Sequence, residues 1–267
     1  MTKIYLKNKK FKYLKPKKKD EYLFKNDIKN ISDDEIIIFH HLGLGDHIMC
    51  NGLVNYVSMK KKVHLVTVKK NYENINKLYE NNLNVSILTL PENFDYIHLP
   101  DIQEFLIDHA KKKDLKILKL GYDYWKKNLT YYDTPYWQLG LNYDEHSYKY
   151  FNLRIDKNIL KKVSLNILEE NNIENEFLLV HNESSQGVMD IPRLKQEKNV
   201  IYINSKTNDR GSIFNLLDLI YRAKEIHCIN SSFLHVVDRV ESQGKLFYHH
   251  NRASKTRLKK EWSLINY

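Results

Sequence analysis

The chain has 267 residues, 42% hydrophobic and 12% aromatic, enough for one large core or two compact ones. No apolar run approaches the roughly 18 residues of a membrane span, and the lysine-rich start lacks the apolar stretch of a secretion signal. The net charge of +10 is uneven: residues 1–19 hold nine lysines and no acid, and Arg252, Lys255, Arg257, Lys259 and Lys260 form a second cluster.

Strand-like runs alternate with helical spacing, which predicts parallel sheets with helices on both faces. Ile4–Leu6 suits an edge strand. Ile36–Phe39 reads as a buried strand, and Met49, Leu53 and Val57 then recur at helical spacing. Strands follow at Val63–Val68, Val85–Leu88, Tyr96–Leu99 and Leu115–Leu120, with helices over 71–81 and 101–113. An aromatic segment comes next, including Tyr122, Tyr124, Trp125, Tyr131, Tyr132, Tyr136 and Trp137 with acids and amides between them. It suits stacking on sugar rings or a wall between halves, and equally an amphipathic helix packing its rings into a core. Beyond it lie strands at Phe177–His181, Val200–Ile203, Ile226–Ile229 and Leu246–Tyr248, with helices over 157–171, 212–223 and 232–240. The expected boundary falls near residue 155, giving an N-terminal unit, 1–155, and a C-terminal unit, 156–267. Cys50 and Cys228 lie far apart in apolar contexts and read as reduced core thiols of a cytoplasmic protein.

Three loops carry chemistry. The strand Ile36–Phe39 runs into His40-His41-Leu42-Gly43-Leu44-Gly45-Asp46-His47, a glycine turn that opens a helix. Such a turn offers backbone N–H groups and the positive end of a helix dipole to a ligand, and the glycines permit positive φ and leave no side chain in the way. Asp46 is placed for proton transfer, with His41 as the alternative base. A solvated Asp at a helix cap is the plain structural alternative. In the second half, one strand ends in His181-Asn182-Glu183-Ser184-Ser185-Gln186-Gly187 and another in Asn230-Ser231-Ser232 before His235. Ligands of open parallel sheets bind beyond the carboxyl ends of strands, where these loops fall, although Ser231 and Ser232 also suit simple capping. Lys206 and Thr207 follow another strand and are candidates for contact with a base or ribose.

Several chemistries are not expected. Gly43 and Gly45 begin a dinucleotide-binding G-x-G-x-x-G, but Ile48 replaces the third glycine and Lys69-Lys70 stand where a ribose-binding acid would follow the next strand. An NADP-dependent oxidoreductase therefore remains an alternative that would use those lysines. His40, His41, His47 and Cys50 have no zinc-site spacing, and no Asp-x-Asp pair offers itself to a metal and nucleotide sugar. No nucleic-acid reading motif accompanies the basic clusters, so no nucleic-acid partner is expected. The N-terminal lysines suit peripheral contact with an anionic membrane, or merely a solvated face.

Two Rossmann-like units facing across a cleft, each giving one strand-end loop, resemble the GT-B architecture of glycosyltransferases. Gly45-Asp46-His47-Ile48-Met49 resembles the Gly-Asp-apolar loop of the heptosyltransferase-type family. Cys228-Ile229-Asn230-Ser231-Ser232-Phe233-Leu234-His235 is similar to that family's later block, an Asp-Ser/Thr-Gly-like turn before a helical His. The sequence departs from the family where Asn230 replaces the usual Asp, where no Gly follows Ser232, and where Cys50-Asn51-Gly52 replaces a Thr-Pro pair. The resemblance implies Asp46 as base and Ser231, Ser232 and His235 along a donor diphosphate. It implies a metal-independent, inverting glycosyltransferase with a nucleotide-diphosphate sugar as donor, no further cofactor, and a glycan or lipid-linked acceptor. The departing diphosphate would meet a cation, with Arg193, Lys206 and Arg210 as candidates. A catalytically inert carbohydrate-binding protein is the alternative from outside enzymology.

Overall fold

A computed structural model describes residues 23–24, 34–92, 99–122, 129–184, 187–204, 211–250 and 256–267. The expected Ile4–Leu6 strand, the N-terminal lysines, Ser185, Lys206, Thr207, Arg210, Arg252 and Lys255 lie outside these residues.

The first half builds a five-stranded, all-parallel sheet from β1 (Leu23–Phe24), β2 (Glu35–Phe39), β3 (Lys62–Thr67), β4 (Val85–Thr89) and β5 (Lys116–Lys119) in the order β1-β5-β2-β3-β4. Its central strand reads Ile-Ile-Ile-Phe because both faces are covered, as parallel sheets require. Ile36 and Ile38 join one apolar layer with helices α1 (Leu44–Ser58) and α2 (Tyr72–Tyr79). Ile37 and Phe39 join the opposite layer with Ile102, Leu106 and Ala110 of α3 (Leu99–Lys113). Leu99 opens this helix, and the other residues of the strand expected at Tyr96–Leu99 lie outside the described residues. The residue after Leu99 is Pro100, which the first helical turn tolerates because no N–H partner is needed there.

Three helices link the halves: α4 (Asp133–Gln138), α5 (Tyr143–Lys149) and α6 (Lys157–Glu170). The second sheet, also all-parallel, comprises β6 (Leu178–His181), β9 (Val200–Tyr202), β10 (Glu225–Ile229), β11 (Lys245–His250) and β12 (Ser263–Asn266), in the order β12-β11-β10-β6-β9. A small hairpin of β7 (Glu183–Ser184) and β8 (Gly187–Val188) hangs from the end of β6. Helix α7 (Leu217–Arg222) follows a 3-10 turn at Ile213–Leu216, and α8 (Ser232–Val237) stops short of the expected residue 240. The expected α/β class with two parallel sheets is therefore present. One apolar layer runs without a break from the α1 side of the first sheet to Phe214, Phe233 and Leu234 under the second.

Helix α1 explains much of this continuity. Eleven of its fifteen residues are buried, so it is not the one-faced helix its Met49–Leu53–Val57 spacing suggests. It lies between the first sheet, α5 and α8. Gly52 allows this, since a Cβ there would stand 2.4 Å from the backbone oxygen of His146. Cys50 and Cys228 are free and buried, and burial raises both thiols above their usual range.

The C-terminal segment returns to the first half. Arg257 is paired with Asp133 and Asp144. Buried Asp238 accepts from the backbone N–H groups of Lys259 and Lys260 (both 3.1 Å), from Trp262 Nε1 (3.0 Å) and from the Tyr148 hydroxyl (2.7 Å). Lys260 Nζ donates to the carbonyls of Val237 and Val240, and Lys259 lies 4.6 Å from the centre of the Tyr148 ring. These members of the second basic cluster bind the chain to itself.

Candidate functional site

In the first sheet the chain runs from β2 outward to β3 and β4, then returns to β5 on the other side of β2. The strand order therefore reverses between β2 and β5, the position where open α/β sheets bind ligands. The His40–Asp46 loop leaves β2 at this point and Gly121 follows β5. The two are joined by His41 Nε2, which donates to the Gly121 carbonyl at 2.9 Å. The second sheet repeats the arrangement, with β9 on one side of β6 and β10 on the other. Here His181 ends β6 and Ser231 follows β10, and His181 Nδ1 lies 3.2 Å from Ser231 Oγ. Each reversal thus carries the loop that the sequence singled out.

Asp46 is the third residue of α1, and its Oδ2 accepts from the N–H of Gly43, the helix cap, at 3.0 Å. The other oxygen, Oδ1, accepts from the hydroxyl of Tyr131. Loss of hydration pushes the Asp46 carboxyl up to about 7, against the lowering effect of the Gly43 N–H. Gly43 has φ −68° and ψ 148°, and Gly45 lies inside the helix, so neither glycine serves by adopting positive φ. Both serve by being small. A Cβ on Gly43 would sit 2.5 Å from Asp46 Oδ2, and one on Gly45 would sit 3.3 Å from Cδ2 of His235 and 3.7 Å from Cα of Ser232. Gly45 is where the two strand-end loops meet.

The three histidines of the first loop divide by position. His40 and His47 are fully buried, their rings meeting at 4.5 Å nearly edge to face. Burial lowers His40 to about 4 and lowers His47 well below its usual range, so both are neutral. His41 alone faces the aromatic segment, between Tyr122 (4.4 Å, stacked) and Tyr131 (4.9 Å). Burial lowers its pKa too, and with Nε2–H committed to Gly121 its free lone pair is on Nδ1. Tyr132 extends the row of rings to His235, 6.0 Å away. The segment also serves the core: Tyr136 is 1% exposed and its hydroxyl donates to the Met49 carbonyl at 2.7 Å. A narrow cavity beside Asp46 is lined by His41, Met49, Tyr131, Tyr132 and Pro135.

On the second-half side, Ser231 caps α8 by accepting from the Leu234 N–H at 3.5 Å while also meeting His181. The His181 ring stacks on Phe233, and burial lowers its pKa to about 4. Asn182 holds the hairpin through Met189, donating from Nδ2 to its carbonyl at 2.7 Å, and Glu183 and Ser184 lie on the half-buried β7. Asn230 is buried and Ser232 is half-buried at the start of α8. His235 is only 4% exposed, wedged against Gly45, and burial lowers it to about 3. Arg193 is not at this end of the sheet. It lies over the Phe247 ring and 3.7 Å from Glu225, at the start of β10, so it is removed as the cation beside Ser231. Sequence reasoning passed over Arg239, a buried cation that donates to the His235 carbonyl and the Tyr143 hydroxyl, and gave Tyr131 no role at Asp46. Both are non-local contacts, and only the aromatic density around Tyr131 hinted at one of them.

No family model matches the chain, and no curated protein does. Among solved structures it is similar to a family 9 glycosyl transferase from Veillonella parvula, 12% identical over 90% of this chain and 89% of that one, with a TM-score of 0.55. It also matches the E. coli ADP-heptose LPS heptosyltransferase II, 10% identical over 86% and 90% of the two chains, with a TM-score of 0.48. At such identity, the first likeness is one of fold: this chain shares the fold of a family 9 glycosyl transferase along nearly its whole length.

Proposed function

We propose that the protein is a glycosyltransferase that moves a sugar from a nucleotide-diphosphate donor to a hydroxyl of a glycan or lipid-linked acceptor. The observation that carries this reading is the meeting of two strand-order reversals at Gly45, with one carboxyl poised to titrate near neutrality beside them. In the proposed reaction Asp46 takes the proton of the acceptor hydroxyl. The acceptor oxygen bonds to the anomeric carbon as the carbon–oxygen bond to the diphosphate breaks, and that electron pair leaves with the diphosphate. Attack opposite the leaving group inverts the anomeric centre. Backbone N–H groups of the Asn230–Ser232 turn would face the departing charge. Absence of an Asp-x-Asp pair from the sequence supports a reaction independent of metal. The proposed setting is the cytoplasm, at a membrane met by the lysine-rich N-terminus.

Thermal shift with a nucleotide panel tests the reading. Stabilisation by UDP, GDP or ADP, followed by nucleotide release from the matching sugar donor when acceptor is supplied, is the expected result. Stabilisation by NADP alone would instead favour an oxidoreductase built on the Gly43–Gly45 turn, and silence with every nucleotide would favour an inert carbohydrate-binding protein.

A further inference from the structure

Asp46 has one oxygen turned inward and one outward. Oδ2 faces Gly43, where an added Cβ would stand 2.5 Å from it, and is held by that residue's N–H. Any hydroxyl that is to give its proton to Asp46 must therefore reach Oδ1, where the Tyr131 hydroxyl already donates. Tyr131 is half-buried in the turn before α4, its ring leaning on His41 and meeting Tyr132 edge to face at 5.8 Å. It also lines the cavity beside Asp46. A phenol O–H on this carboxylate has the same chemistry as an acceptor O–H: one donor, neutral, on the outward oxygen.

We propose that Tyr131 is a positioning residue for Asp46, its hydroxyl holding the outward carboxylate oxygen and yielding that oxygen to an incoming acceptor hydroxyl. The first half of this statement concerns Asp46 and Tyr131 alone, and the second rests on the glycosyltransferase reading. A donor on the carboxylate stabilises its charged form, so Tyr131 opposes the rise in the Asp46 pKa that burial causes. An alcohol is a weaker donor than a phenol, so exchanging the Tyr131 hydroxyl for an acceptor hydroxyl would leave a more basic carboxylate at the moment a proton arrives.

The test follows the Asp46 carboxyl by carbon-13 NMR in the full chain, with Asp46→Asn identifying the signal. Tyr131→Phe keeps the ring and its neighbours and should raise the Asp46 midpoint by about half a pH unit or more. Placing 3-fluorotyrosine at 131 makes the phenol a better donor and should lower the midpoint, and it serves if the Phe variant does not fold. A residue that merely fills space predicts neither shift, so midpoints unchanged in the variants that fold would overturn the proposal. Nucleoside diphosphate release from a panel of UDP-, GDP- and ADP-sugars, with water as acceptor, is the second reading. It should rise several-fold in Tyr131→Phe, because Oδ1 is then open to water. Midpoints that move while no sugar nucleotide is turned over by either protein would uphold the placement of Tyr131 and reject the glycosyltransferase reading instead.

Discussion

In the proposed reaction Asp46 serves a helix and a base's role with opposite requirements, and pH separates them. As the third residue of α1 it needs only an oxygen for the Gly43 N–H, which an amide supplies as well. As a base it must lose its proton. Asp46→Asn is therefore expected to fold and bind nucleotide while turnover falls at least roughly 100-fold, measured as nucleoside diphosphate release. The stability of the two proteins should also diverge with pH. Folded Asp46 keeps its proton up to about 7, whereas the unfolded chain releases it near the ordinary value of 3.8. Between those values the native state binds more protons at this site, so the Asp46 contribution to stability falls as pH rises, and the Asn variant, which lacks it, should gain on the wild type over that window. Activity has the reverse sign and should climb through about pH 7 as the base ionises. Melting temperatures that run parallel from pH 4 to 8 would show Asp46 to be a solvated cap.

Among the elements, the returning C-terminal segment tests whether buried or exposed charge holds it down. Arg257 bridges two acids, but its side chain is 39% exposed, and exposed pairs contribute on the order of 1 kcal/mol or less. Asp238 differs because it is 1% exposed and serves four donors, with Arg239 Nη1 4.0 Å away. Removing that carboxylate leaves the donors unmatched and Arg239 buried without its counter-charge. Asp238→Ala should therefore cost roughly 3–5 kcal/mol in urea unfolding and open Arg257 and Lys259 to trypsin, while Arg257→Ala does little of either. Equal losses from the two variants would show that the charge network, and not the buried anchor, fastens the segment. This anchoring was invisible in the sequence because Asp238 and Lys259 are 21 residues apart with no pattern between them. Strand β2 was legible for the converse reason, since a buried parallel strand writes itself as a short apolar run, and β3 and β10 were legible as such runs interrupted only by His64 and His227. The candidate loops were legible as polar endings to such runs. Of the two reasons the sequence offered for Gly43 and Gly45, freedom of φ and the lack of a side chain, only the second applies, since sequence does not distinguish a glycine needed for its φ from one needed for its size.

Across the molecule, polar groups are buried at a density that ties stability to acid. His40, His41, His47, His181, His227, His235 and His249 all have pKa values lowered by burial. The pair under the second sheet shows how this arises. Tyr267 donates to His249 Nδ1 at 2.8 Å, His249 Nε2 faces His227 Nδ1 at 2.9 Å, and His227 Nε2 donates to Glu225 at 3.3 Å. One choice of neutral tautomers satisfies the chain from phenol to carboxylate. Two extra protons would set an N–H against an N–H between the imidazoles, with Arg193 adding a third positive charge nearby. Both rings are lowered to about 4, against 6.5 for an ordinary histidine. The unfolded chain therefore binds more protons between those values, and stability that is complete above 6.5 is lost as pH falls toward 4. With several histidines contributing, the slope should reach a few times roughly 1.4 kcal/mol per pH unit. Urea midpoints at pH 7, 6 and 5 measure it, and replacing His227 and His249 together by Gln should make the dependence shallower. A double variant whose midpoints fall as steeply as those of the wild type would move the acid sensitivity away from this pair, to the histidines beneath the Asp46 loop.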